Sequence, residues 1–120
     1  MRRKNERGVG TVLTAGICAA LLVVAWTAAL LVGWLAQISA TQDAADLAAL
    51  AGAGARSQGV DACEAAGQAA HRNGADLVRC RVEGDQWSFV VEVSVGRPLR
   101  PVLPGGPASV ERVATAGSLP

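Results

Sequence analysis

The side chains best suited to chemistry are Cys63, Cys80, His71 and one close carboxylate pair, Asp43 and Asp46. Together with Asp76, the cysteines and the sole histidine would make a donor set for zinc, but their spacing matches no zinc pattern. Ser57, Ser88, Ser94 and Ser109 lack the G-x-S-x-G elbow that exposes a serine nucleophile. "GAGAR" at 52–56 resembles part of a phosphate loop, yet it follows a helical pattern rather than a strand and has no P-loop lysine. Asp43 and Asp46 follow a long apolar run, where acids on an exported side are ordinary. The expectation is therefore no catalytic, metal or cofactor-binding residues and no small-molecule substrate. What remains is thiol oxidation. Cys63 and Cys80 fall in a region expected to be exported, where oxidising conditions favour a disulfide between them. Cys18 sits within the apolar run and reads as a small packing residue.

The elements that must position these residues begin with that run. The chain has 120 residues, 51% of them hydrophobic and 3% aromatic, with a mean hydropathy of +0.31. This average hides two regimes, because no charged residue occurs from Gly8 to Gln42. About 35 helical residues cover roughly 52 Å at 1.5 Å each, against a bilayer core of roughly 30 Å. A secretory signal has an apolar region of only about 7–15 residues. The stretch Ile38-Ser39-Ala40 before Thr41 nevertheless could pass as a small-residue cleavage site and leaves signal-peptidase cutting open. Arg2, Arg3, Lys4 and Arg7 precede the run against Glu6 alone, which keeps the N-terminus cytoplasmic and sends the remainder across the membrane. The net charge is +1 and the exported arginines are scattered, which argues against nucleic acid as a partner.

Five stretches follow. Residues 1–10 are a basic cytoplasmic leader and 11–36 a transmembrane helix, with Trp34 suited to the outer interface. Residues 37–58 continue the helix outside the membrane, since no Pro or Gly separates Gln37 from Leu50. Small residues recur every fourth position at Ala36, Ala40, Ala44, Ala48 and Gly52, with a parallel row at Ala29 and Gly33. Rows of this kind let helix backbones approach closely. The helix is expected to end between Arg56 and Gly59, where glycines accumulate.

Residues 59–96 read as an exported helix and hairpin. Asp61 and Glu64 make a capping-box-like start, Asn73-Gly74 a stop, and Cys63, Ala66, Gly67 and Ala70 a small face. Val78, Cys80 and Val82 alternate with Arg79 and Arg81, while Trp87, Phe89, Val91, Val93 and Val95 share a second alternating face. A two-residue turn at Gly84-Asp85 would pair Val82 with Trp87, Cys80 with Phe89 and Val78 with Val91. Covering that face with the helix would bring Cys63 over Cys80, and the bridge would contribute roughly 3 kcal/mol. Residues 97–120 are a Pro/Gly-rich connection in which "ASVERVATA" alternates weakly and could add a short third strand.

The leading half of the chain resembles actinobacterial TadE-like proteins, small membrane-anchored relatives of the minor pilins of Flp/Tad pili and related secretion systems. The resemblance is carried by Glu6-Arg7-Gly8 before the span, by Gln37, and by Asp43, Ala44, Ala45, Asp46, Leu47, Ala48, Ala49 and Leu50 running on to Ala51. The Cys63 and Cys80 pair and the hairpin also look like that family. It implies an α+β, type IV pilin-like layout: a transmembrane helix that extends out of the membrane, then a short helix on a small antiparallel sheet. It further implies a structural, non-enzymatic minor pilin or pseudopilin, single-pass in the cell membrane, whose partners are other pilin-like subunits and Tad-type machinery met through helix packing. Leader cleavage in such proteins would fall after Gly8. The chain departs from the prepilin pattern in lacking the acidic fifth mature residue: Leu13 would stand there after a cut at Gly8, and Ala15 after a cut at Gly10. A minor, initiating or permanently membrane-bound subunit fits that departure better than a bulk pilin. Two other readings stay open: a secreted disulfide-bonded effector or binding module released near Ala40, and a redox accessory protein using a reducible Cys63–Cys80 bridge.

Overall fold

The computed structural model describes residues 2–102 and 104–118, with side chains described from Gly8 onward. The chain divides into two units, Met1–Leu35 and Ala36–Pro120. One helix, α1 (Arg2–Ser57), supplies all of the first unit's described structure and the start of the second. It is helical throughout, as the lack of a breaker between Gln37 and Leu50 predicts.

In the first unit the described side chains of α1 are exposed, apart from the half-buried Leu30 and Trp34. The Thr14 hydroxyl donates to the Gly10 carbonyl and the Thr27 hydroxyl to the Val23 carbonyl, both at 2.8 Å. Those hydroxyls are thereby satisfied inside the helix, as a lipid environment demands. The Gly8–Ser57 segment is long and apolar enough to cross a membrane, with a window of mean hydropathy 2.4.

The second unit adds α2 (Ala62–Arg72) and three strands, β1 (Asp76–Gly84), β2 (Phe89–Pro98) and β3 (Ser109–Ser118). They form an antiparallel sheet in the order β1-β2-β3. The architecture is α+β. The Asp61 carboxylate caps α2 by accepting from the Cys63 and Glu64 amides, at 2.9 and 3.2 Å. Both helices close in the same way. The Val60 amide reaches back to the Ala55 carbonyl across Gly59, and the Ala75 amide to the Ala70 carbonyl across Gly74.

The hairpin departs from the two-residue turn expected at Gly84-Asp85. Gly84 pairs with Phe89, so the connection spans four residues, and Val82 meets Val91 while Cys80 meets Val93. The Asp85 carboxylate causes the change by accepting from the Trp87 and Ser88 amides at 2.9 and 2.7 Å, which curls the chain before β2 can start. Gly84 stands at φ +103°, and a side chain there would collide with the Ser88 carbonyl. Trp87, expected on the inner face, lies in the turn at 82% exposure. A bulge between Leu77 and Arg79 makes the second change. It turns Val78 outward and places Leu77, paired with Val95, against the core instead. Because the register moved by an even number of residues, Cys80 and Val82 keep the inner face.

The third strand is longer than its weak pattern suggested. All ten residues of β3 pair with β2, from Ser109 opposite Pro98 to Ser118 opposite Phe89. The cover over the sheet also differs from expectation. Phe89, Val91, Val93 and Val95 pack not under α2 alone but also under Ala44, Ala45, Ala48 and Ala49 of α1, beside Ala62, Ala66 and Ala70 of α2.

Candidate interaction surface

The stretch from Asp43 to Leu50 has two faces with opposite fates. Ala44, Ala45, Ala48 and Ala49 are buried against this chain's own sheet and α2. Asp43, Asp46, Leu47 and Leu50 point away, with Leu47 47% and Leu50 62% exposed. Helical periodicity produces this division, since 44, 45, 48 and 49 occupy one side and 43, 46, 47 and 50 the other. Alanine suits the inner side because two helices and a sheet must approach closely in a unit whose core holds few large side chains. At Gly52 the approach is closer still. A Cβ there would stand 3.0 Å from Val91 Cγ1 and 3.1 Å from the Ala62 carbonyl oxygen.

The small-residue rows are thus split. Ala44, Ala48 and Gly52 serve close packing inside this chain. Ala29, Gly33 and Ala36 are exposed and Ala40 is half-buried. Gly8 is exposed, and nothing lies within 4 Å of a side chain placed there. The side chains of Glu6 and Arg7 lie outside those described.

Two residues with no assigned role hold the N-terminal end of the second unit. The Gln37 side-chain amide is bonded twice to the Arg100 backbone, donating to its carbonyl and accepting its N–H at 3.0 Å. A glutamine can mimic a strand partner in this way, satisfying both backbone groups of a loop residue. Thr41, one turn on, is 0% exposed, and its hydroxyl donates to the Gln37 carbonyl at 2.7 Å. Nothing in the local sequence marks the Gln37 clamp, because Gln37 and Arg100 lie 63 residues apart.

Cys63 and Cys80 are joined, with 5.7 Å between their α-carbons, within the ordinary range for a bridge. Bridging takes up both thiols of the donor set considered for zinc, and His71 is exposed on α2. Cys18 is a free, exposed thiol. On the outer face of the sheet Arg81 and Glu83 form an ion pair at 3.0 Å, and the Ser94 hydroxyl donates to Glu111. The two backbone amides of Ser88 and Trp87 hold the Asp85 carboxyl below its ordinary range. Compared with known protein families, curated proteins and solved structures, the chain matches none.

Proposed function

We propose that this chain is a membrane-anchored, non-enzymatic subunit of a TadE-like, pilin-related assembly, with its N-terminus cytoplasmic and the unit from Ala36 onward outside. The carrying observation is the exposed pair Leu47 and Leu50 on α1, flanked by Asp43 and Asp46. A helix that spends its alanines on its own fold still offers leucines to water, and such a surface is retained where another helix covers it. Continuity of α1 supports the same reading, because a neighbouring subunit can run along one uninterrupted helix. The Thr14 and Thr27 hydroxyls inside the span are already bonded to the helix, so exchange of lipid for protein neighbours requires no rearrangement of them.

The secreted alternative fits less well. A cut after Ala40 would place a charged α-amino group on Thr41, which is buried, and would remove the Gln37 clamp from the Arg100 loop. The test is intact mass of the native chain from membranes and from medium, before and after reduction. A full-length or Gly8-cut chain in the membrane, heavier by two protons once reduced, agrees with the proposal. A fragment beginning at Thr41 in the medium overturns it.

A further inference from the structure

A shallow cavity of about 500 Å³ lies in the second unit, lined by Gln37, Gly74, Arg97, Pro98 and Arg100. No carboxylate lines it. Among the described residues the one ion pair is Arg81–Glu83, so neither arginine is matched by an acid. Arg97 also borders a neighbouring cavity with Asp76 and Glu111 but is bonded to neither. Arg100 is exposed, while its backbone is fixed by Gln37 on both its N–H and its carbonyl. The loop is secured again at Leu99, which is 1% exposed and donates its amide to the Ala108 carbonyl at 3.0 Å. This loop is therefore held in place while presenting cations, together with the exposed Val102.

Position along the chain gives the cations a partner. Gln37 follows directly on the stretch expected to span the bilayer, only about 4.5 Å of helix rise beyond Trp34. With the span anchored as proposed, the backbone clamped to Gln37 would lie near the phospholipid headgroups. We infer that Arg97 and Arg100 bind the phosphate of an anionic phospholipid in the outer leaflet, with Val102 beside the acyl boundary. This rests on the proposed membrane anchoring. Arginine suits the task because its planar fork donates to two phosphate oxygens at once and keeps its charge at any physiological pH. The contact would hold the exported unit at the membrane surface until assembly exchanges lipid for protein.

The test uses the full chain purified in neutral detergent and titrated with phosphatidylglycerol or phosphatidylcholine, the bound lipids being counted by native mass spectrometry. Wild type is expected to prefer phosphatidylglycerol, and each arginine removed should weaken that binding roughly fivefold. Arg100→Gln is the primary variant because its side chain is exposed, and the Arg97→Gln/Arg100→Gln double variant follows. Each must retain the Cys63–Cys80 bridge by mass. A chain carrying Arg2→Gln and Arg3→Gln measures lipid held by the leader, and it should keep the phosphatidylglycerol that the Arg100 variant loses. Unchanged binding in Arg100→Gln overturns the inference. So does equal displacement by inorganic phosphate, which would make the cavity a site for free anions. Carbonate extraction of native membranes separates the two levels: release of the chain defeats the anchoring itself, whereas retention without lipid preference defeats this inference alone.

Discussion

The stretch of α1 up to Leu35 and the stretch from Ala36 to Ser57 share one helix and a common stock of Ala, Leu and Gly. Their environments differ. Among the described side chains of the first, small and large residues alike are exposed apart from Leu30 and Trp34, and side chains added at Gly10, Gly16 or Gly33 would meet nothing within 4 Å. In the second, Ala44, Ala45, Ala48 and Ala49 are buried, and between Asp43 and Leu50 only the leucines and acids look outward. A small residue thus has no fixed meaning. It permits close approach, and what approaches is decided by what else the chain can fold against it.

The harshest way to break this contrast is to remove the bridge that ties α2 to β1. Cys63→Ser should destabilise the second unit by roughly 3 kcal/mol, read as faster amide exchange across β2, while exchange within residues 11–35 stays as slow as before. Equal loss in both regions would mean that the first depends on the second. The next largest effect should come from Ala48→Leu, which overfills the gap between helix and sheet and should cost about 1–3 kcal/mol by the same readout. Gly33→Leu, the matching change in the first region, should leave the second unit untouched. Gln37→Ala removes two hydrogen bonds to the Arg100 loop and should cost about 1–2 kcal/mol, visible as protease cleavage near residue 100.

Leu50→Cys in a Cys18→Ala background sharpens the comparison from the outside. Its effect on unfolding should stay within about 0.5 kcal/mol, yet oxidation of native membranes should yield cross-linked chains. A well-folded variant that never cross-links would remove the main support for assembly through this face. The smallest effect concerns Asp85. Its folded-state carboxyl is held below the ordinary value of 3.8 by the Ser88 and Trp87 amides. Its contribution is therefore present above that value and lost as pH falls through the lower folded one. Amide exchange at Trp87 and Ser88 should accelerate only in that acidic window, and Asp85→Asn should flatten the response.

Much of the plan was legible from pattern alone. The charge-free run, the cap at Asp61, the stop at Asn73-Gly74 and the alternation of β2 are local signals, and each appears where it should. The cysteine pair followed from compartment and from the inward position of Cys80. The hairpin register was misjudged because Gly84-Asp85 scores as a turn by itself, while the bonding power of the Asp85 carboxylate toward residues two and three ahead was overlooked. Val78 was misplaced because a bulge leaves no trace in an alternating run. Leu99 was passed over because a Pro/Gly-rich connection carries no period from which burial could be inferred.

By itself, the sequence determined the elements of this protein: a continuous apolar helix, a capped second helix, a bridged cysteine pair and strands with one apolar face. These follow from periodicity, propensity and charge, which act over a few residues. Only the tertiary structure decided which alanines are consumed by the fold, which leucines remain exposed, and that Gln37 holds a loop 63 residues away. Those outcomes depend on partners distant in the chain, and periodicity identifies a face without saying what will cover it.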